Sequence, residues 1–265
     1  MSADGRRNVR RKGKNVDNSK TITHIGLCAG YGGIELGLKR VLSTLRSVAL
    51  CEIEAYACAN LVAKMEAGLM DPAPIWTDLK TFPWDAFRDR VDILTGGYPC
   101  QPFSAAGKRL GTEDPRHLWP YIADGIRLMR PRVCFFENVE GHISLGLREV
   151  IEELEQLGYE ATFGIFSAAE CGGSHQRKRV FILANSLCKR RQLSIKGQQS
   201  TEQMSGGQSK ERRAWKSWPV KPTICGTYDG SSNRVDQLRL LGNGVVPATA
   251  ELAFKTLFNE LQSNL

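Results

Sequence analysis

The feature that most limits what this chain can fold into is a strand, a glycine-rich turn and a helix in direct succession near its start. Ile22-Thr23-His24-Ile25-Gly26-Leu27-Cys28 reads as a strand, and Ala29-Gly30-Tyr31-Gly32-Gly33 breaks it. Ile34, Leu36, Leu38, Val41, Leu42 and Leu45 then recur near helical spacing. The first unit of a nucleotide-binding α/β fold has this form. Its glycines let the backbone approach a ligand closely, and the helix N-terminus favours negative charge. The next strand, Val48-Ala49-Leu50-Cys51, ends in Glu52, roughly 20 residues beyond the turn, where such folds place an acid for ribose hydroxyls. The pairing suits NAD as well as other adenosine-containing cofactors and does not choose among them.

Strands and helices continue to alternate. A helix is expected over about Ala55 to Gly68, then a short strand Pro74-Ile75-Trp76-Thr77 that ends in Asp78. An acid just past a strand's carboxyl end lies where open α/β sheets bind ligands, although capping a turn is an equally ordinary task for Asp. Val91-Asp92-Ile93-Leu94 forms a buried strand leading into Gly96-Gly97-Tyr98-Pro99-Cys100-Gln101-Pro102-Phe103-Ser104. Each proline fixes its own φ and restricts the residue before it, so the Cys100 thiol is aimed as a nucleophile would be. A helix from Leu118 to Met129 stops at Arg130-Pro131, and Val133-Cys134-Phe135-Phe136 delivers Glu137-Asn138-Val139. A carboxylate at the end of a buried strand is costly unless it is used or paired. A helix from Ile143 to Leu157 is closed by Gly158; strands Ala161 to Phe166 and Val180 to Ala184 then flank a basic knot in which Arg177 and Arg179 alternate. Pro247 suits the first turn of a last helix reaching about Leu261.

Composition sets the outer bounds. The chain has 265 residues and a net charge of +8, enough for one large domain with an appendage and a bias toward a polyanionic partner. No apolar run approaches the roughly 20 residues of a membrane span, and no signal peptide opens the chain. The eight cysteines form no Cys-x-x-Cys pair, which argues against a zinc site or disulfide framework and for a reducing, cytoplasmic setting. Four segments follow: a disordered basic arm (1–20), a catalytic and cofactor-binding domain (21–184), a Gln-, Ser- and Gly-rich region (185–235) and a C-terminal segment (236–265) that completes the domain.

Taken in order, Cys28-Ala29-Gly30-Tyr31-Gly32-Gly33, Gly97 to Ser104, Glu137-Asn138-Val139, Arg177-Lys178-Arg179 and Gly242-Asn243-Gly244-Val245 resemble the DNA (cytosine-5)-methyltransferases, in particular the small bacterial and phage forms. The resemblance implies an α/β, Rossmann-like S-adenosylmethionine-dependent methyltransferase fold, a mostly parallel sheet with helices on both faces plus a small irregular recognition region. It places Cys28 to Gly33 beside the methionine part of the cofactor, Glu52 at the ribose and Asp78 at the adenine amino group. Ile53, Leu79, Pro99, Leu118, Asn243 and Val245 would complete the pocket. By the same resemblance Cys100 adds to carbon 6 of a flipped-out cytosine, Glu137 serves ring nitrogen 3, and Arg177 and Arg179 contact the base, its phosphate or Glu137. Gln101, Ser104, Lys108, Arg109 and Arg116 would meet DNA from a lid running from Ser104 to Arg116.

The implied partners are double-stranded DNA and a companion restriction endonuclease, with the protein a monomer and no membrane or metal involved. Two departures stand out: His175 replaces the Gln that opens the family's Gln-x-Arg-x-Arg element, and residues 185–235 are short for a target-recognition region. The short region keeps open a tRNA cytosine-5 methyltransferase and a catalytically unproductive DNA-binding relative. A thiol hydrolase pairing Cys100 with His117, His142 or His175 would leave the glycine turn, Glu52 and Asp78 without a task. A dehydrogenase would leave Cys100 and Glu137 idle.

Overall fold

The computed structural model describes residues 21–99, 118–144, 146–173, 176–188 and 244–263. The basic arm, Cys100 with the lid, His175, Asn243 and residues 189–235 of the recognition-like region lie outside those residues.

The strands are β1 (Ile22–Leu27), β2 (Leu45–Cys51), β3 (Ile75–Trp76), β4 (Ile93–Gly96), β5 (Val133–Val139), β6 (Tyr159–Ser167) and β7 (Lys178–Ser186). The helices are α1 (Gly33–Val41), α2 (Ala55–Glu66), α3 (Trp119–Met129), α4 (Leu147–Gln156) and α5 (Pro247–Ser263). One seven-stranded sheet has the order β3-β2-β1-β4-β5-β7-β6. Pairings from β3 to β5 are parallel, while β7 runs antiparallel to both β5 and β6. The strand order turns back between β1 and β4, so the connections leaving those strands diverge and open a crevice at the carboxyl edge.

The central strands are largely apolar because both faces are covered, with His24 and Thr95 among the buried polar exceptions. Along β5, Cys134 and Phe136 join a core with Ile122 and Ile126 of α3 and Val150 and Leu154 of α4. Val133 and Phe135 face the opposite way, into a core with Leu38 of α1 and Ala250, Phe254 and Leu257 of α5. Phe135 stacks on Phe181 at 5.4 Å and meets Phe254 edge-on at 5.3 Å. Each such ring contributes about 1.5–3 kcal/mol by leaving water.

Several boundaries differ from the sequence expectation: β4 lies two residues later than Val91–Leu94, β6 and β7 run two residues or one beyond each expected end, and three further shifts have a local cause. The apolar period running to Leu45 overshoots α1, which ends at Val41; Leu42 leaves helical geometry (φ −118°, ψ 86°) and its carbonyl caps a turn to Leu45. Leu42 and Leu45 are buried all the same, so burial prolongs the helical pattern past the helix. β2 begins at Leu45 rather than Val48 because its register with Ile22–Leu27 draws in three earlier residues. Residues Glu140–Ser144 form a 3₁₀ turn, and Gly146, at φ 139°, separates it from α4, which starts at Leu147 rather than Ile143.

His24 ties the middle of the sheet together. It is fully buried, with Nδ1 at 3.0 Å from Ser47 Oγ on β2 and Nε2 at 2.9 Å from Thr95 Oγ1 on β4. Burial holds its pKa down to about 3 from 6.5, against a weaker opposing pull from Asp71. The unfolded chain therefore takes up a proton at His24 that the fold refuses. Stability is full above pH 6.5 and is lost as the pH falls from there toward about 3. We expect this group to contribute a slope of about 1.4 kcal/mol per pH unit in that window. Urea unfolding at a series of pH values checks it: His24→Gln should be less stable at neutral pH and should flatten the acid limb.

Candidate active site

The carboxyl ends of β1, β2, β3, β4 and β5, the start of β7 and the start of α1 converge on one cavity of about 770 Å³. The glycine turn leaves β1 through Cys28 and Gly30 at positive φ and enters α1 through Gly32 at φ 83°. Gly33 must lack a side chain, because a Cβ there would stand 2.0 Å from the Val245 carbonyl oxygen. Tyr31 reinforces this junction by donating its hydroxyl proton to the same carbonyl. A segment more than 200 residues distant in sequence thus closes the wall beside the turn.

Glu52 locks the turn to β2. Its Oε2 accepts the Gly30 N–H at 2.7 Å and its Oε1 the Glu54 N–H at 2.8 Å. Each carboxylate oxygen keeps a further lone pair, so the buried group can still accept from a ligand hydroxyl. Past β3, Asp78 caps a 3₁₀ turn, Leu79–Thr81, through Oδ1 and the Lys80 N–H at 3.0 Å, and it also lines the cavity. Asp78 thus caps a turn and faces the cavity at the same time. Ile53 sits at the rim with 73% of its surface open, an unusual exposure for isoleucine, and faces the same cavity as Leu79 and Leu118.

Glu137 lies on the β5 side of the cavity, over Gly97, where a Cβ would come 3.4 Å from its Oε2. Arg179 of β7 forms an ion pair with it, Nε to Oε1 at 2.7 Å, close in distance but off the N–H axis. Burial pushes the Glu137 carboxyl up to about 7, although Arg179 and Arg177 pull it down. The group is poised between acid and base near neutral pH, as proton-transfer work requires. Asn138 donates from Nδ2 to the Tyr98 carbonyl at 3.2 Å, and the Tyr98 hydroxyl lies 3.1 Å from His142 Nε2. These contacts brace the chain that runs on into Pro99 and Cys100. By contrast, burial raises the Cys28 thiol, and it raises Cys51 up to about 12, which keeps both protonated and poor nucleophiles.

Of the residues singled out from the sequence, Cys28, Ala29, Gly30, Gly33, Glu52 and Ile53 line this cavity. So do Asp78, Leu79, Pro99, Leu118 and Val245, together with Glu137 and Arg179. Tyr31 and Gly32 support the wall from behind: Gly32 packs on Met70, and Lys64 donates to the Tyr31 carbonyl. Arg177 lies close enough to act on the charge of Glu137 and Tyr31, with Nε and one terminal nitrogen buried and unbonded among the described residues. Cys100, Gln101, Ser104, Lys108, Arg109, Arg116 and Asn243 are outside the described residues. Two features escaped the sequence reading. The Tyr98–His142 contact joins residues far apart in sequence, and Glu35 reads as an ordinary acid in a helix's first turn.

A largely parallel, doubly wound sheet with an antiparallel final pair and a cavity over its carboxyl edge is the fold of the S-adenosylmethionine-dependent methyltransferases. Solved structures of this kind superpose on the chain: Spodoptera frugiperda DNMT2 (a mutant) with a TM-score of 0.53 and 22% identity, over 63% of this chain and 50% of that one. The S. pombe Dnmt2 methyltransferase gives 0.52 and 23%, over 62% and 51%. Residues 22–217 match the family model for C-5 cytosine-specific DNA methylases, and the chain belongs to that family. Among curated relatives, the Type II methyltransferase M.NgoMIV of Neisseria gonorrhoeae is 37% identical over 170 residues, 62% of this chain and 51% of its own length. M.PspPI of Psychrobacter sp. (strain TA137) is 38% identical over 154 residues, 55% and 35% respectively. The chain spans about half or less of the length of these relatives.

The Arg179–Glu137 pair makes a direct prediction. Arg179→Gln removes the nearest positive charge, so the Glu137 carboxyl should titrate above about 7, with burial no longer opposed by that charge. A carboxyl-carbon NMR titration of the two proteins reads the shift, and an unchanged midpoint would show that the pair does not act on Glu137.

Proposed function

We propose that the protein transfers a methyl group from S-adenosylmethionine to carbon 5 of a cytosine flipped out of duplex DNA, through a covalent adduct with Cys100. The observation that carries this reading is Glu137, a buried carboxyl held near half-protonation on the same cavity as Glu52 and Asp78. A cofactor pocket with a proton donor at one side is what such a reaction needs. The cavity volume falls within the range typical of small-molecule sites. When bound, S-adenosylmethionine supplies an electrophilic methyl group. Glu52 takes the ribose hydroxyls on the lone pairs its backbone bonds leave free, and Asp78 accepts from the adenine amino group.

Carbon 5 of cytosine is a weak nucleophile until the ring is made electron-rich. The Cys100 thiolate adds to carbon 6, and the negative charge that develops reaches ring nitrogen 3. Glu137 gives that nitrogen a proton or a strong hydrogen bond, and Arg179 holds the carboxyl in place while it does so. Once carbon 5 has taken the methyl group, with S-adenosylhomocysteine as the leaving group, its proton passes to water, the freed electron pair re-forms the ring double bond and expels Cys100 as thiolate, and 5-methylcytosine leaves the site. The net charge of +8 favours a polyanionic substrate. The relatives named Type II methyltransferases extend the reading to a companion restriction endonuclease, while residues 185–235 would read the target.

Labelled methyl transfer from S-adenosylmethionine, offered in parallel to unmethylated duplex DNA and unmodified tRNA, tests the assignment. Label in DNA at one recurrent sequence, mapped by base-resolution conversion sequencing, is expected. Label confined to tRNA would transfer the assignment to that substrate. Cys100→Ser should reduce transfer to background while S-adenosylhomocysteine still binds; sustained turnover would refute the covalent route. Glu52→Ala should weaken S-adenosylhomocysteine binding by about tenfold to a hundredfold in calorimetry, the equivalent of one charge-assisted hydrogen bond.

A further inference from the structure

Glu35 is a buried acid to which neither the fold nor the proposed chemistry gives a task. It stands in the first turn of α1, 4% exposed, on the wall of the cavity. Its Oε2 is shut off from solvent and takes no hydrogen bond among the described residues. Room for the carboxyl is made by Gly26 on β1, where any Cβ would fall 2.1 Å from Glu35 Oε1. A glycine within a central strand weakens it, so a void filled by an unpaired carboxyl is a feature that packing alone does not call for.

The groups facing Glu35 come from three directions. Lys64 of α2 is the cation, yet its ammonium is engaged by the Tyr31 carbonyl and lies 4.7 Å over the Tyr31 ring. Glu52 at the end of β2 repels it, and the Tyr31 hydroxyl feels its charge. The other acids that line the cavity each have a place: Glu52 accepts from two backbone N–H groups, Asp78 caps a turn, Glu137 pairs with Arg179, and Glu54 stands exposed just before α2. Glu35 is the buried acid of this wall with a carboxylate oxygen, Oε2, that takes no hydrogen bond among the described residues.

Resting on the cofactor reading above, we propose that Glu35 receives the α-ammonium group of the amino-acid end of S-adenosylmethionine and is the residue that distinguishes ligands carrying that end. The first turn of α1 then offers a zwitterion both signs at once. Open N–H groups at the helix start face a carboxylate, and the Glu35 carboxylate faces the neighbouring ammonium. Burial holds the empty site's Glu35 up to about 7, with its own backbone N–H and Lys64 pulling the other way. A bound cation favours the ionised form, so ligand binding should expel a proton near neutral pH.

Titration calorimetry in buffers of different ionisation enthalpy measures that proton directly, with no turnover involved. S-Adenosylhomocysteine keeps the ammonium but lacks the sulfonium charge; 5′-methylthioadenosine lacks the amino-acid end altogether. Wild-type protein should release about half a proton per S-adenosylhomocysteine bound near pH 7, and affinity should rise about tenfold from about pH 6 to about pH 8. Binding of 5′-methylthioadenosine should release none. Glu137 titrates in the same range on the same cavity, so the slope must survive in Glu137→Gln and disappear in Glu35→Gln. S-Adenosylhomocysteine binding without proton release in the wild type would overturn the inference and leave the cofactor reading standing. An effect of Glu35→Gln on S-adenosylmethionine but not on S-adenosylhomocysteine would assign Glu35 to the sulfonium and overturn it too. Failure of both ligands to bind would overturn the cofactor reading, and this inference with it.

Discussion

Everything at the site depends on the reversal of strand order between β1 and β4. Strands added on one side of β1 carry their following segments away from those added on the other, and the gap between them cannot be filled by either. Glu52 and Asp78 arrive from the β2 and β3 side, while Pro99, Glu137 and Arg179 arrive from β4, β5 and β7. The antiparallel β7 matters here. Pairing Val139 with Arg179 and Glu137 with Phe181 brings a basic side chain to a strand end that a parallel neighbour would have supplied from a different loop.

The acids around the cavity show how burial and partners divide one residue type into several roles. Glu52 is held in place by two backbone N–H groups. Glu137 has arginines near it yet is pushed up to about 7, because loss of water outweighs their attraction. Glu35 reaches the same range with its nearest cation turned toward Tyr31. One edge of one sheet thus holds an acid tied to the backbone and two groups ready to exchange protons near neutral pH.

The C-terminal segment is part of the same construction. α5 packs against α1 through Leu38, Ala250 and Phe254, and the residues just before it place the Val245 carbonyl against Gly33. The cavity wall is therefore closed by chain that follows the whole of the recognition-like region.

Much of this was legible in the sequence because local chemistry dictates it. Strand–glycine–helix succession, an acid at the ends of three strands and prolines around Cys100 are features of local sequence, which depend on near neighbours. Glu52, Asp78 and Glu137 were found that way. Other facts depend on distances across the fold and left no mark on their own segments. The reach of α1 was overestimated because Leu42 and Leu45 are buried by their surroundings, not by a helix. Glu35 was not singled out at all, since the vacancy it fills belongs to Gly26 on another element. The sequence determined which groups could do chemistry. The tertiary structure decided their charge, because desolvation and facing partners are properties of the packed chain and not of any stretch within it.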